Sequence, residues 1–148
     1  MDELLKNRIY AAVISANFVP HFYKDYVLFE AHSPSGEDIS FDVGKKDYTK
    51  EDYTFDDIFD GVLVTFTDFD VDEHAVFWYE TNGRSGAPTD LRTLLNDAQA
   101  IKNMYGYLYM QMYSLKEKLE EEWLQKNSMK EARRESDVNW KSWLLLEY

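Results

Sequence analysis

Between Thr89 and Trp123 the apolar residues Leu91, Leu94, Ala98, Ile101, Tyr105, Leu108, Met112, Leu115 and Leu119 follow one another at alternating steps of three and four. That spacing brings one side chain per turn to the same face of a helix. It predicts a single helix over residues 89–123, about 50 Å long. A continuous apolar seam of this length has to be covered, either by the rest of the chain or by a second copy.

The remaining segments offer the material for a cover. Leu5, Ile9, Ala12, Val13 and Ala16 share a face of a first helix over residues 3–18, which Pro20 should stop by forcing its predecessor out of the helical region. Tyr26–Ala31 and Ile39–Val43 read as strands of a hairpin. Ser33-Pro34-Ser35-Gly36 forms the turn, and Ile39, Phe41 and Val43 occupy one face. Two strands alone are marginal, so the hairpin needs a helix or a third strand. Residues 44–57 form a polar connector. Residues 54–67 combine helical spacing (Phe55, Ile58, Phe59, Val62, Phe66) with β-branched composition. Thr54 and Asp57 resemble a capping box, which favours helix, and Gly61 weighs against it. Asp70, with Glu73 three residues on, starts a short helix bearing Val71, Ala75, Trp78 and Tyr79 on one face. The stretch 81–88 then leads into the long helix at Pro88 or Thr89. Ser136 or Asp137 is expected to cap a last helix in which Trp140, Trp143 and Leu144 share a face. These elements describe one α+β domain over residues 1–148, with an acidic segment at 37–80, the long helix at about 89–123 and a helical tail at 124–148.

Charge is concentrated in one place. Of 28 acidic residues, 14 lie between Glu37 and Glu80 against three lysines (Lys45, Lys46, Lys50), so this segment carries −11 of a net −12. Direct binding to nucleic acid or to an anionic membrane is disfavoured, and binding to a basic protein is favoured. The chain has no cysteine, which excludes disulfides, thiolate metal sites and a thiol nucleophile. The first residues show no basic region followed by an apolar core, and no apolar run approaches the ~18 residues of a membrane span, so a cytoplasmic protein is expected.

Phe69-Asp70-Val71-Asp72-Glu73-His74, followed by Trp78, Asn82-Gly83, Gly86-Ala87-Pro88, Leu91, Leu95-Asn96-Asp97-Ala98 and Ile101-Lys102, resembles a pattern in small acidic uncharacterised proteins carried by bacterial phages, plasmids and integrative elements. The resemblance spans residues 54–108. It implies the company of proteins that counter host restriction and CRISPR nucleases, and it supplies no catalytic residues.

The functional candidates follow from these readings. Asp47, Glu51, Asp52, Asp56, Asp57, Asp60, Asp68, Asp70 and Asp72 would imitate the phosphates of a DNA duplex, with Tyr48, Tyr53, Phe55, Phe59, Phe66 and Phe69 holding them rigid. Asp loses less side-chain freedom than Glu in such an array. The plainer alternative is a solvated acidic surface. Asp68-Phe69-Asp70-Val71-Asp72 begins like a calcium loop, but Glu73 stands where glycine is needed and Tyr79 where glutamate is needed. His21, His32 and His74 lack metal-ligand spacing, and His74 is better read as a cap-region histidine paired with a carboxylate. Gly83, Arg84 and Gly86 match no phosphate-binding fingerprint and read as a linker. Tyr105 lies on the seam, and Tyr107, Tyr109 and Tyr113 are spread around the helix to cover the hairpin or a partner chain.

The expectation is therefore an interaction protein, not an enzyme, requiring no metal or cofactor. It would occupy the DNA-binding surface of a host nuclease. The alternative is an assembly protein that forms a homodimer through residues 89–123 and the apolar terminus. A hydrolase built on aspartates and His74 is the third reading, and it would require a metal or a pocket around His74.

Overall fold

The computed structural model describes residues 1–81 and 88–131, with side chains through Ser128. The first helix, α1 (Glu3–Ser15), is capped by Asp2, whose carboxylate accepts the Leu4 N–H at 2.6 Å. It stops before the residue expected from Pro20. Asn17 adopts φ 64°, the Asn17 N–H donates to the Ile14 carbonyl and the Phe18 N–H donates to the Val13 carbonyl. This is the doubly bonded helix terminator that asparagine can enter in place of glycine. Val13 and Phe18, the pair that closes it, are both fully buried.

Three antiparallel strands follow in the order β1 (Val19–Phe22), β2 (Tyr26–His32) and β3 (Asp38–Gly44). The edge strand β1 supplies the third strand that the hairpin needed. It contains Pro20, opposite Phe29, at an edge where a missing N–H donor costs no ladder bond. Val27, Phe29 and Ala31 on β2 face the core with Ile39, Phe41 and Val43 on β3.

Residues 54–67 resolve as helix. In α2 (Phe55–Asp68), the Thr54 hydroxyl accepts the Asp57 N–H at 3.1 Å and the Asp57 carboxylate accepts the Thr54 N–H at 3.0 Å. That reciprocal cap, with Phe55, Ile58, Phe59 and Val62 all buried on one face, outweighs the β-branched composition. A short elbow leads to α3 (Val71–Glu80), which Asp70 caps by accepting the Glu73 N–H at 2.9 Å. Ala75 is its buried residue, Val71 and Trp78 pack in part against the core, and Tyr79 is exposed rather than on the inner face.

The long helix, α4, is Leu91–Glu131. It starts at Asp90, whose carboxylate accepts the Thr93 N–H at 2.9 Å, and not at Pro88 or Thr89. It also continues past Trp123, so the described part of the expected tail is one helix with the seam. Leu94, Ala98, Ile101, Tyr105, Leu108, Met112, Leu115, Leu119 and Trp123 are all buried. Their cover is the chain itself: α1, α2 and α3 pack on α4, Phe18 between α1 and β1 lies 5.9 Å from the Tyr105 ring, and the sheet meets the same ring at Phe41, 5.4 Å away. The seam is therefore not free to form the homodimer interface. The linker expected at Gly83–Gly86 and the last helix expected with Trp140, Trp143 and Leu144 fall outside the described residues.

Candidate acidic interface

The nine carboxylates of the expected array fall into three groups. Asp47, Glu51 and Asp52 belong to the loop between β3 and α2. Asp56, Asp57 and Asp60 occupy the first two turns of α2. Asp68, Asp70 and Asp72 surround the elbow between α2 and α3. Because α2 is 14 residues long, its two ends lie about 20 Å apart. The array is thus spread along one helix, with an acidic loop before it and the α2–α3 elbow after it, and is not a single compact patch.

On the helix itself the acids do converge. At 100° per residue, Asp56, Asp57, Asp60 and Asp68 fall within an arc of about 120° opposite the buried Phe55, Ile58, Phe59 and Val62. The packed aromatic face anchors the acidic one: Phe59 lies 5.4 Å from Tyr109 and Phe66 lies 6.1 Å from the same ring. Tyr53 is buried and donates its hydroxyl to the Tyr23 carbonyl at 3.0 Å. Tyr48, by contrast, is 81% exposed and holds nothing rigid, a correction to its expected role.

Several members also have structural work inside the chain. Asp57 closes the α2 cap and Asp70 the α3 cap. Asp47 accepts from the Thr49 hydroxyl and N–H, and these bonds hold its carboxyl below the ordinary range. Asp52 pairs with the terminal amine of Met1, and Asp60 with Lys46. Glu51, Asp68 and Asp72 are exposed.

The elbow holds a shallow depression of about 260 Å³ lined by Asp68, Phe69, Asp70, Glu73, His74 and Phe77. His74 sits between Phe69, at 5.0 Å, and Trp78, at 5.7 Å. Its carboxylate partner is not Asp70 or Asp72 but Glu37, whose Oε1 lies 2.8 Å from Nε2. Glu37 is 1% exposed, the least expected state for an acid in so acidic a segment. The signal for it lay in the strand alternation: Glu37 has the same parity as Ile39, Phe41 and Val43, the inward residues of β3. Asp97, also buried, accepts the Ser35 N–H at 3.2 Å and ties the β2–β3 turn to α4. Burial, and next the charge of Glu37, push the Tyr105 phenol up to about 12. Lys102 anchors the elbow from below, donating to the carbonyls of Phe66 and Phe69. His21 and His32 lie elsewhere, paired with Glu30 and Asp38.

Among the described residues, no group of three or more histidines and carboxylates is arranged to hold a metal ion, and no helix is long and apolar enough to cross a membrane. Comparison with family models, with curated proteins and with solved structures returned no match.

Proposed function

We propose that this chain is an acidic interaction protein that takes the place of nucleic acid on a basic, DNA-binding protein. The target class implied by the sequence resemblance is a host restriction or CRISPR nuclease. The observation that carries the reading is the outward face of α2, where Asp56, Asp57, Asp60 and Asp68 stand on a helix fixed by four buried side chains. Carboxylates on a packed helix keep their spacing, so they lose little freedom on binding. A net charge of −12 steers a basic partner toward them. Exclusion of DNA from the partner's channel needs no chemistry beyond occupancy.

The test is affinity capture from a bacterial lysate at low salt, elution with rising salt, and a DNA-competition assay on the protein recovered. The expected outcome is a DNA-binding protein released by salt, with DNA and this chain mutually exclusive. Asp56→Asn with Asp60→Asn should weaken capture while the circular dichroism spectrum stays unchanged. Capture that survives both high salt and this double substitution would sink the reading.

Self-association is a second reading, favoured by the outer side of α4. There Tyr107, Met110, Tyr113 and Leu124 are 48%, 64%, 46% and 60% exposed, and their spacing returns them to one side of the helix. This surface lies opposite the seam, so a dimer of this kind would not use the residues that the heptad pattern singled out.

A further inference from the structure

We infer that the free edge of β3 accepts an extended segment of the basic partner as a fourth strand, an inference that rests on the acidic-interaction reading above. β3 ends the sheet on the side away from β1. The β2–β3 hairpin closes where the Ser33 N–H donates to the Glu37 carbonyl. Counted from that bond in the observed register, Glu37, Ile39, Phe41 and Val43 turn their main-chain groups toward β2. Asp38, Ser40 and Asp42 therefore turn theirs outward. These three residues are exposed, and among the described residues their outward N–H and C=O groups have no hydrogen-bond partner. Such a row is a template for one more strand. The opposite edge is blunted. The Tyr23 N–H donates to the Tyr26 carbonyl, so β1 turns Pro20 and Phe22 outward, and Pro20 has no N–H to offer.

The side chains decide which strand fits. Asp38 and Asp42 flank Ser40 on the outer face, and β3 contains no lysine or arginine. Asp38 also lies 2.7 Å from His32. A second copy of this chain is a poor occupant: antiparallel pairing of β3 with itself about Ser40 would oppose Asp38 of each copy to Asp42 of the other, and like charges directly opposite destabilise a sheet. A strand with lysine or arginine at alternate positions places cations beside those aspartates instead. Its intervening residues would lie beside Ile39, Phe41 and Val43. Phe41 keeps part of its surface exposed between buried Ile39 and Val43, so apolar side chains suit these positions. The segment is thus extended and alternates basic with apolar residues.

The test uses the full chain and a short fluorescein-labelled peptide of alternating lysine and valine, read by fluorescence anisotropy at low salt. Two further peptides of the same charge carry N-methyl groups, one on its lysine amides and one on its valine amides. In an antiparallel fourth strand the lysine amides face β3, so methylating them should weaken binding about tenfold. Methylating the valine amides, which face away, should not. Hydrogen exchange at the Ser40 and Asp42 amides should slow when the unmethylated peptide binds. Ser40→Pro removes an outward N–H and no bond to β2, so it should weaken that peptide about fivefold with an unchanged circular dichroism spectrum. If the spectrum changes, the methylated peptides on the parent chain decide. Equal affinity for all three peptides, or unchanged exchange at Ser40 and Asp42, overturns the added strand and leaves the acidic interaction standing. If no peptide binds the parent chain, or if binding ignores salt, the acidic-interaction reading fails and the added strand with it.

Discussion

At Gly61 a Cβ atom would lie 2.2 Å from Cγ1 and 2.6 Å from Cβ of Val43. A glycine in the middle of a helix lowers its intrinsic stability, and the sequence reading treats it only as a weakness. Its position shows why it is needed: α2 approaches β3 so closely that no side chain fits. Gly61→Ala should therefore lower unfolding free energy by about 1–3 kcal/mol in urea denaturation, and adding Val43→Ala should recover part of the loss. An alanine variant as stable as the parent would show that α2 does not lie where described. A second residue-scale prediction concerns pH. The Tyr105 phenol is raised from an ordinary value of 10.0 to about 12, so folding favours its neutral form. Stability from this group is fully present below pH 10 and is lost as pH rises toward 12. Tyr105→Phe removes that titration, so its unfolding free energy should fall less steeply across this window, by up to roughly 3 kcal/mol in total. Parallel slopes for parent and variant would contradict the buried placement of this ring.

The elements differ in how far local sequence decided them. The α2 region held two conflicting signals, helical spacing and β-branched composition, and a capping box with a buried apolar face settled the conflict. Thr54→Ala should cost about 1 kcal/mol, measured as a lower denaturation midpoint with an unchanged denaturant slope; no change would mean the cap is dispensable. The heptad pattern of α4 was legible because a 3.6-residue period leaves a regular mark along a long helix, and its capping residue was off by one or two positions because Thr89 and Asp90 both qualify. The strand β1 was not legible: four residues, one of them a proline, carry too little periodicity to register, and only pairing with β2 makes them a strand. Pro20 forbids α1 from continuing, but Asn17 turns the chain before the proline is reached. The acids of α2 were readable as charge. Their placement on one face, and the division of the nine-residue array into a loop, a helix face and an elbow between helices, depended on α2 being a helix.

At the scale of the whole molecule, net charge decides how this chain meets others. Copies that each carry −12 repel one another, and added salt screens that repulsion. Binding to a basic partner weakens with salt for the same reason. The two readings of function therefore respond to salt in opposite directions. If the outer side of α4 mediates self-association, sedimentation equilibrium should show a mass that rises with concentration and with salt, and Met110→Glu should return it to the mass of one chain. A single-chain mass at all concentrations and salts would remove that reading.

Periodicity and charge are local in sequence, and they were sufficient for the α+β class, the long helix, the hairpin and the concentration of acid between Glu37 and Glu80. Which residues cover the seam is a long-range matter. Neither the pattern at 91–119 nor any neighbour of it distinguishes burial within one chain from burial between two, and the packing of α1, α2, α3 and the sheet made that choice. The elbow is likewise a product of the fold. His74 meets Glu37 across 37 positions of sequence, because a buried carboxylate needs a hydrogen-bond partner and the docking of α3 against the β2–β3 turn brings one within reach.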